Sequence, residues 1–294
     1  MNQIEVKARA KINISLDVLG KRPDGYHDVR MVMQTLELYD RLNFKKIRGD
    51  KVILKTNIPY LPTDERNLVN KIVGYMKERY KIRTGVFVRL KKVIPVAAGL
   101  AGGSADAAET VKAMNRLFHL GLSLEEMMEI GGRFGADIPY CMVGGTALAE
   151  GIGEKITYLP DFPECHVVLV KPNFGVSTAH VFGRLDAGAL DCHPDTEGVL
   201  EGIRNRDLAA IGRSMGNVLE TVTVAEHPLL ADIKKTLLVH GAIGALMSGS
   251  GPSVYGLFAE EAAAQEAARR IIEKKMAKFV RTTKIHNRKK VGCQ

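Results

Sequence analysis

The 294-residue chain contains no apolar run long enough to cross a bilayer, which excludes a helical membrane span. Its opening, MNQIEVKARAKINISL, is charged and strand-like. It lacks the apolar core and cleavage site of a signal peptide, so a cytoplasmic protein is expected. Cysteine is sparse: Cys141, Cys165, Cys192 and Cys293 show no C-x-x-C spacing. That argues against a zinc site or a disulfide framework and for reduced thiols. Internal repeats and low-complexity segments are also missing, and an apolar fraction of 46% is that of a packed chain, not a disordered one.

Positive charge, by contrast, is in excess, with a formal net charge of +9. Much of it lies in ARRIIEKKMAKFVRTTKIHNRKK near the C-terminus. That tail has neither arginine–aromatic interleaving nor a nucleic-acid motif. A solvated helix face is the reading, with no nucleic-acid partner expected. A basic surface also suits a small anionic substrate.

The stretch Pro95, Val96, Ala97, Ala98, Gly99, Leu100, Ala101, Gly102, Gly103, Ser104, Ala105 carries the most chemistry. Its glycines permit φ > 0 and leave backbone N–H groups uncovered. Ser104 has the type of an N-cap, and ADAAETVKAM behind it is strongly helix-forming. A bare loop feeding a helix N-terminus gathers unpaired N–H groups and the positive end of the dipole, which is an anion site. The competing reading is a tight turn packing a helix closely on a sheet. The loop ends in Gly-Gly-Ser where a P-loop needs Gly-Lys-Ser/Thr, and GLAGGS does not fit G-x-G-x-x-G. A cation for a nucleotide phosphate must come from elsewhere. Lys11, in a strand among Ala10, Ile12 and Ile14, is the candidate, although alternation slightly favours its pointing to solvent.

Periodicity predicts strands over 4–19, 29–38, 40–47, 51–56 and 85–95, and a breaker turn at KRPDGYHD. Asp64 is expected to cap a helix over 65–80, and Ser123 with Glu126 to form a capping box. Pro139 suits the first turn of a helix after Asp137. A strand is predicted over 146–159, then a domain boundary at LPDFPE, giving domains 1–159 and 160–294. Beyond it come a strand at CHVVLVKP, helices near 177–185, 196–224 and 226–240, and a second glycine-rich turn in GALMSGSGPSVYGLF. A helix over 260–276 and a strand at KFVRTTKI close the chain. Paired strands recur beside alternating ones, which favours α+β.

Four motifs, AKINISLDVLGKRPDGYH, PVAAGLAGGSADAA, GADIPYCMVGG and MSGSGPSVYGLF, stand in an order that resembles the GHMP kinases (galacto-, homoserine, mevalonate and phosphomevalonate kinases). GKRPDGYH and GADIPY narrow the resemblance to the branch acting on 4-diphosphocytidyl-2-C-methyl-D-erythritol. The resemblance implies an N-terminal ATP-binding domain, a C-terminal substrate domain whose last strand returns to the N-terminal one, and an active site in the cleft between them. It implies transfer of phosphate from ATP to the substrate's 2-hydroxyl, in the non-mevalonate route to isopentenyl diphosphate. The glycine loop would wrap the ATP phosphates, with Asn67, Leu68 and Lys92 around the nucleotide. Asp137 would take the hydroxyl proton, and Lys11 would keep that aspartate ionised and steady the reacting oxygens. Tyr26, His27 and Phe182 would hold the cytosine, and Asn13 would contact substrate near Lys11. On residue type alone Asp137 reads as a helix cap, Tyr26-His27 as a polar hairpin tip and Phe182 as core.

Departures from the family pattern are Ala101, tolerable there if its φ is negative, and Ala105, which removes a hydroxyl. Mg²⁺ is expected with ATP, its ligands unassigned. A monomer or weak homodimer is expected. The alternatives are a homoserine- or mevalonate-type kinase and a non-catalytic nucleotide- or RNA-binding protein.

Overall fold

The structure, a computed structural model, describes residues 1–190 and 192–288; Cys293 and the last two lysines of the basic tail lie outside them. The first half runs β1 (Gln3–Lys21), β2 (His27–Ile47), β3 (Val52–Thr56), α1 (Leu68–Arg79), β4 (Gly85–Lys91), α2 (Gly102–Phe118), α3 (Leu124–Gly132) and α4 (Asp137–Val143). A hairpin of β5 (Thr146–Gly151) and β6 (Lys155–Tyr158) precedes β7 (His166–Lys171). Then come α5 (Thr178–Arg184), α6 (Thr196–Asn205), α7 (Leu208–Ser214), the short β8 (Gly216–Asn217), α8 (Glu220–Glu226) and α9 (Leu229–Val239). The chain closes with β9 (Gly244–Met247), β10 (Val254–Phe258), α10 (Glu261–Glu273) and β11 (Phe279–Lys284). Helices and mostly antiparallel strands mix as an α+β fold. Among the described residues no helix is long and apolar enough to cross a membrane, and Cys141, Cys165 and Cys192 are not joined in disulfides.

The structure corrects several expectations, each for a local reason. The two strands expected over 29–38 and 40–47 are one, because Asp40, which looks like a break, is fully buried and its carboxylate accepts the backbone N–H of Ile94, beyond the end of β4. The cap of α1 is Asn67, whose side chain accepts from Val69 N–H at 3.0 Å; Asp64 turns back onto Arg66 instead. The helix after the glycine loop begins at Gly102 with Ala101 as N-cap, so Ser104 lies inside its first turn. Segment 146–159 is a hairpin because Gly151 and Gly153 adopt positive φ. Segment 196–224 is broken by Arg206 in the left-handed region and by Asp207, which caps α7. The Ser123–Glu126 capping box is present, and α4 opens at Asp137.

Contacts divide the chain into two compact units: 1–10, 38–96 and 101–143 form the first, and 11–37, 97–100 and 144–294 the second. In the first unit β4 pairs with β2 antiparallel and with β3 parallel. Its sheet packs Leu42, Phe44, Val86 and Val88 against Ile72 and Met76 of α1 and Val111 and Met114 of α2. Each such burial is worth roughly 1.5–3 kcal/mol. In the second unit a four-stranded antiparallel sheet has the order β11-β7-β10-β9. There β2 also pairs with β5, and β1 with β8.

Candidate active site

In the first unit the chain leaves β4 through Lys92 and re-enters at Ala101. Ala101 sits at φ +51°, a left-handed conformation that costs a non-glycine residue roughly 1–2 kcal/mol. The negative φ expected there is thus corrected: the left-handed residue is what turns the loop into the axis of α2. No side chain caps α2 and no acid lies in its first turn. The dipole end and the first N–H groups stay available to an anion. A Cβ on Gly103 would meet nothing within 4 Å, whereas one on Gly102 would come within 2.8 Å of Ile94 Cγ2 and 3.2 Å of Lys92 Nζ. Gly103 is therefore the open side of this turn and Gly102 the packed side. Ala105 is buried in the core of the unit.

Beneath the turn lies a charge cluster of which the sequence pointed only to Lys92, as a residue around the nucleotide, and not to its two carboxylate partners. Lys92 Nζ donates to Asp40 Oδ2 at 2.5 Å and to Asp106 Oδ2 at 2.8 Å, and all three residues are buried. Asp40 Oδ1 accepts the N–H groups of Val93 and Ile94, which fixes the chain entering the loop. Asp106 Oδ1 is buried without a partner. Burial pushes the Asp106 carboxyl up to about 8; Lys92 opposes that and Asp40 adds to it. Burial also pulls on Lys92, but the two carboxylates outweigh it and hold the ammonium above its usual value. Asn67 uses both ends of its amide on Val69 N–H and the Pro62 carbonyl, and Leu68 packs on the core. Asp137, half-buried, is the acid in the first turn of α4. A Cβ on Gly131 would lie 2.6 Å from Ile138 Cγ2 and from Met142 Cε. That glycine lets α3 approach α4 closely and so sets where Asp137 starts its helix.

The second unit holds Lys11, 4% exposed, against the expectation from alternation. The reason is that β1 is buried on both faces from Ala10 to Val18, so period two no longer separates inside from outside. Lys11 Nζ donates to Asn13 Oδ1 at 2.7 Å, and the Asn13 carbonyl accepts Tyr255 Oη–H at 2.7 Å. The stripe continues with Ser15 against Thr196 and Asp17 against His193. The loop residues 97–100 lie beside it, with Lys11 N–H donating to Leu100 O. Ser248, in the second glycine-rich turn, donates through Oγ to Gly99 O at 2.9 Å. A Cβ on Gly99 would stand 2.0 Å from Ser248 O, and its φ is +72°, so only glycine fits this approach. His27 and Phe182 are brought together, their ring centroids 5.1 Å apart and tilted by 42°. Tyr26, next to His27 in sequence, is exposed at a hairpin tip whose Asp24 accepts its N–H. Burial first, then the nearby Lys21, lowers the His27 pKa, which favours the neutral imidazole.

The first unit thus offers a bare helix N-terminus, and the second a glycine-rich turn beside a buried lysine. The family model "GHMP kinases N terminal domain" matches residues 67–145 and "GHMP kinases C terminal" residues 199–278. The 4-diphosphocytidyl-2-C-methyl-D-erythritol kinase of Lachnospira eligens is 50% identical over 283 residues, 96% of this chain and 98% of its own. That of Exiguobacterium sibiricum is 50% identical over 262 residues, covering 89% and 91%. A crystal structure of 4-(cytidine 5'-diphospho)-2C-methyl-D-erythritol kinase superposes with TM-score 0.82 at 27% identity, covering 97% of this chain and all of the other. Mevalonate kinase from L. major shares the fold, with TM-score 0.79 at 17% identity and 97% of each chain covered. The chain belongs to the 4-diphosphocytidyl-2-C-methyl-D-erythritol kinase family.

Proposed function

We propose that this chain transfers a phosphoryl group from ATP to the 2-hydroxyl of 4-diphosphocytidyl-2-C-methyl-D-erythritol, giving the 2-phosphate and ADP. The similarity that runs along nearly the whole chain carries this reading. Homoserine and mevalonate kinases share only the fold. Residues 1–159 and 160–294 are read as the ATP-binding and substrate-binding domains, and the two family-model matches fall one on either side of that division.

The roles follow from the local chemistry and the family pattern. The N–H groups at the start of α2 receive the ATP phosphates, with the Ser104 hydroxyl in the same turn. Asp137 accepts the proton of the attacking hydroxyl, and Lys11 supplies positive charge to the reacting oxygens. Tyr26 and His27 hold the cytosine, with Phe182 completing the stack; a neutral His27 offers one donor and one acceptor to the edge of the base. Asn13 orients Lys11 through its 2.7 Å hydrogen bond. Among the described residues no group of three His, Cys, Asp or Glu could hold a metal. A Mg²⁺ ion would be held chiefly by the phosphates of the nucleotide, with one or two protein oxygens at most.

The test is ADP release with 4-diphosphocytidyl-2-C-methyl-D-erythritol, homoserine and mevalonate as acceptors. Turnover on the first alone is expected; turnover on either of the others without the first overturns the reading. Asp137→Asn should lower kcat by at least about 100-fold while both KM values stay nearly constant, because the lost interaction belongs to the transition state. A destabilised but fully active Asp137→Asn enzyme would reduce Asp137 to a helix cap.

A further inference from the structure

The sheet of the first unit has one face on the core and the other open. On β2, Leu42 and Phe44 are buried, so Arg41 and Lys45 point outward and are exposed. By the same alternation β1 presents Lys7 and Arg9, β3 presents Lys55, and β4 presents Arg89 and Lys91. Against these cations the described residues of this face set two acids, Glu5, 3.8 Å from Arg41, and Glu37 further along β2, which is bonded to His286.

The register makes the arrangement unusual. Arg41 stands directly opposite Lys91, and Lys55 directly opposite Arg89. Like charges in direct opposition destabilise a sheet, and solvent faces normally interleave signs. Strands lie about 4.8 Å apart, well inside the screening length of about 8 Å at physiological salt, so these cations act as one field. Aromatic rings are set among them. Lys7 Nζ lies 4.6 Å from the centre of the Tyr39 ring, and the Arg9 and Arg41 guanidinium carbons lie 5.4 and 5.5 Å from it. Phe87 sits in register with Lys45 on one side and Ile53 on the other.

We propose that this open face binds single-stranded nucleic acid, without sequence preference. Its charge complements a phosphate chain, and a bound polyanion would relieve the two like-charge pairs. Rings at the level of the sheet, Tyr39 among arginines and Phe87 beside Lys45, are platforms on which unpaired bases stack. A duplex would need an element that enters a groove, and this face is flat. A membrane would need apolar side chains standing beyond the cations; here Tyr39 and Phe87 are half-buried. The tail expected from sequence to have no such partner is not involved.

The experiment is fluorescence anisotropy with labelled oligo(U) and oligo(dT) of about 16 nucleotides. Both are expected to bind with a Kd of roughly 1–100 μM in about 50 mM salt, weakening as salt rises. In Arg41→Gln/Lys55→Gln/Arg89→Gln the affinity should fall at least about thirtyfold, and the slope of log K against log salt should become shallower by about 2. Lys274→Gln/Lys275→Gln/Lys278→Gln, with the same charge change elsewhere, should bind as the parent does. A melting temperature unchanged from the parent's certifies the sheet variant as folded. Should it unfold, Arg89→Gln alone replaces it, with several-fold weaker binding expected. Equal loss in the two charge variants overturns the proposal, as does an unchanged affinity in the sheet variant. Binding to phosphatidylglycerol vesicles but to neither oligonucleotide overturns it in favour of a membrane.

Discussion

Lys92 places one ammonium between two buried carboxylates, so the cluster carries a net negative charge unless Asp106 keeps a proton. With the Asp106 carboxyl raised from 3.8 to about 8, the folded state holds that proton more tightly than the unfolded one. Its contribution to stability is complete below the unfolded value and is lost as pH rises through the folded one. The melting temperature should therefore fall between pH about 5 and about 9 by more in the parent than in Asp106→Asn, which has no proton to lose. Parallel melts across that range check this; identical profiles would show that Asp106 is ionised throughout. Lys92→Met leaves Asp40 and Asp106 facing each other, and a stability loss of about 3–5 kcal/mol is expected from urea titration.

Among the helices, the start of α2 allows a clean test of the phosphate assignment. Gly102→Val is confounded, since its side chain would strike Ile94 and Lys92. Gly103→Val places its bulk in open space, so it should raise the KM for ATP while leaving the fold intact, apart from about 1 kcal/mol or less of helix propensity. Equal ATP affinity in that variant would remove the phosphates from this turn. In α3, Gly131→Val should push the first turn of α4 and with it Asp137, lowering kcat by roughly tenfold to a hundredfold. Gly132→Ala, whose Cβ would find its nearest neighbour at 3.8 Å, should leave kcat unchanged.

Across the whole molecule, the units are interleaved rather than consecutive. Residues 11–37 and 97–100 belong with 144–294, and they include the parts of β1 and β2 with which β8 and β5 pair. Residues 160–294 expressed alone would lack β5 and β6 together with those partners. They should show no cooperative melt by circular dichroism, although the break at LPDFPE looks in sequence like a domain boundary. A sharp transition in that fragment would show that the four-stranded sheet and its helices fold independently.

The glycine loop, the Ser123 capping box, the α4 start at Asp137 and the family itself were legible in the sequence. Each rests on neighbours along the chain, where glycine, proline and capping residues act through their own backbone. Lys11 was legible as a candidate, but its burial and that of Asp40 were not. Alternation tells which residues share a face but not whether that face is covered, and β1 is covered on both. A carboxylate such as Asp40 reads as a break until a distant lysine and two backbone N–H groups arrive to satisfy it. The same blindness hid the basic sheet face: its cations lie far apart along four segments, and only strand register sets Arg41 against Lys91 and Lys55 against Arg89. Local conformational preference belongs to the sequence; burial, and the charges that burial brings face to face, were decided by the tertiary structure.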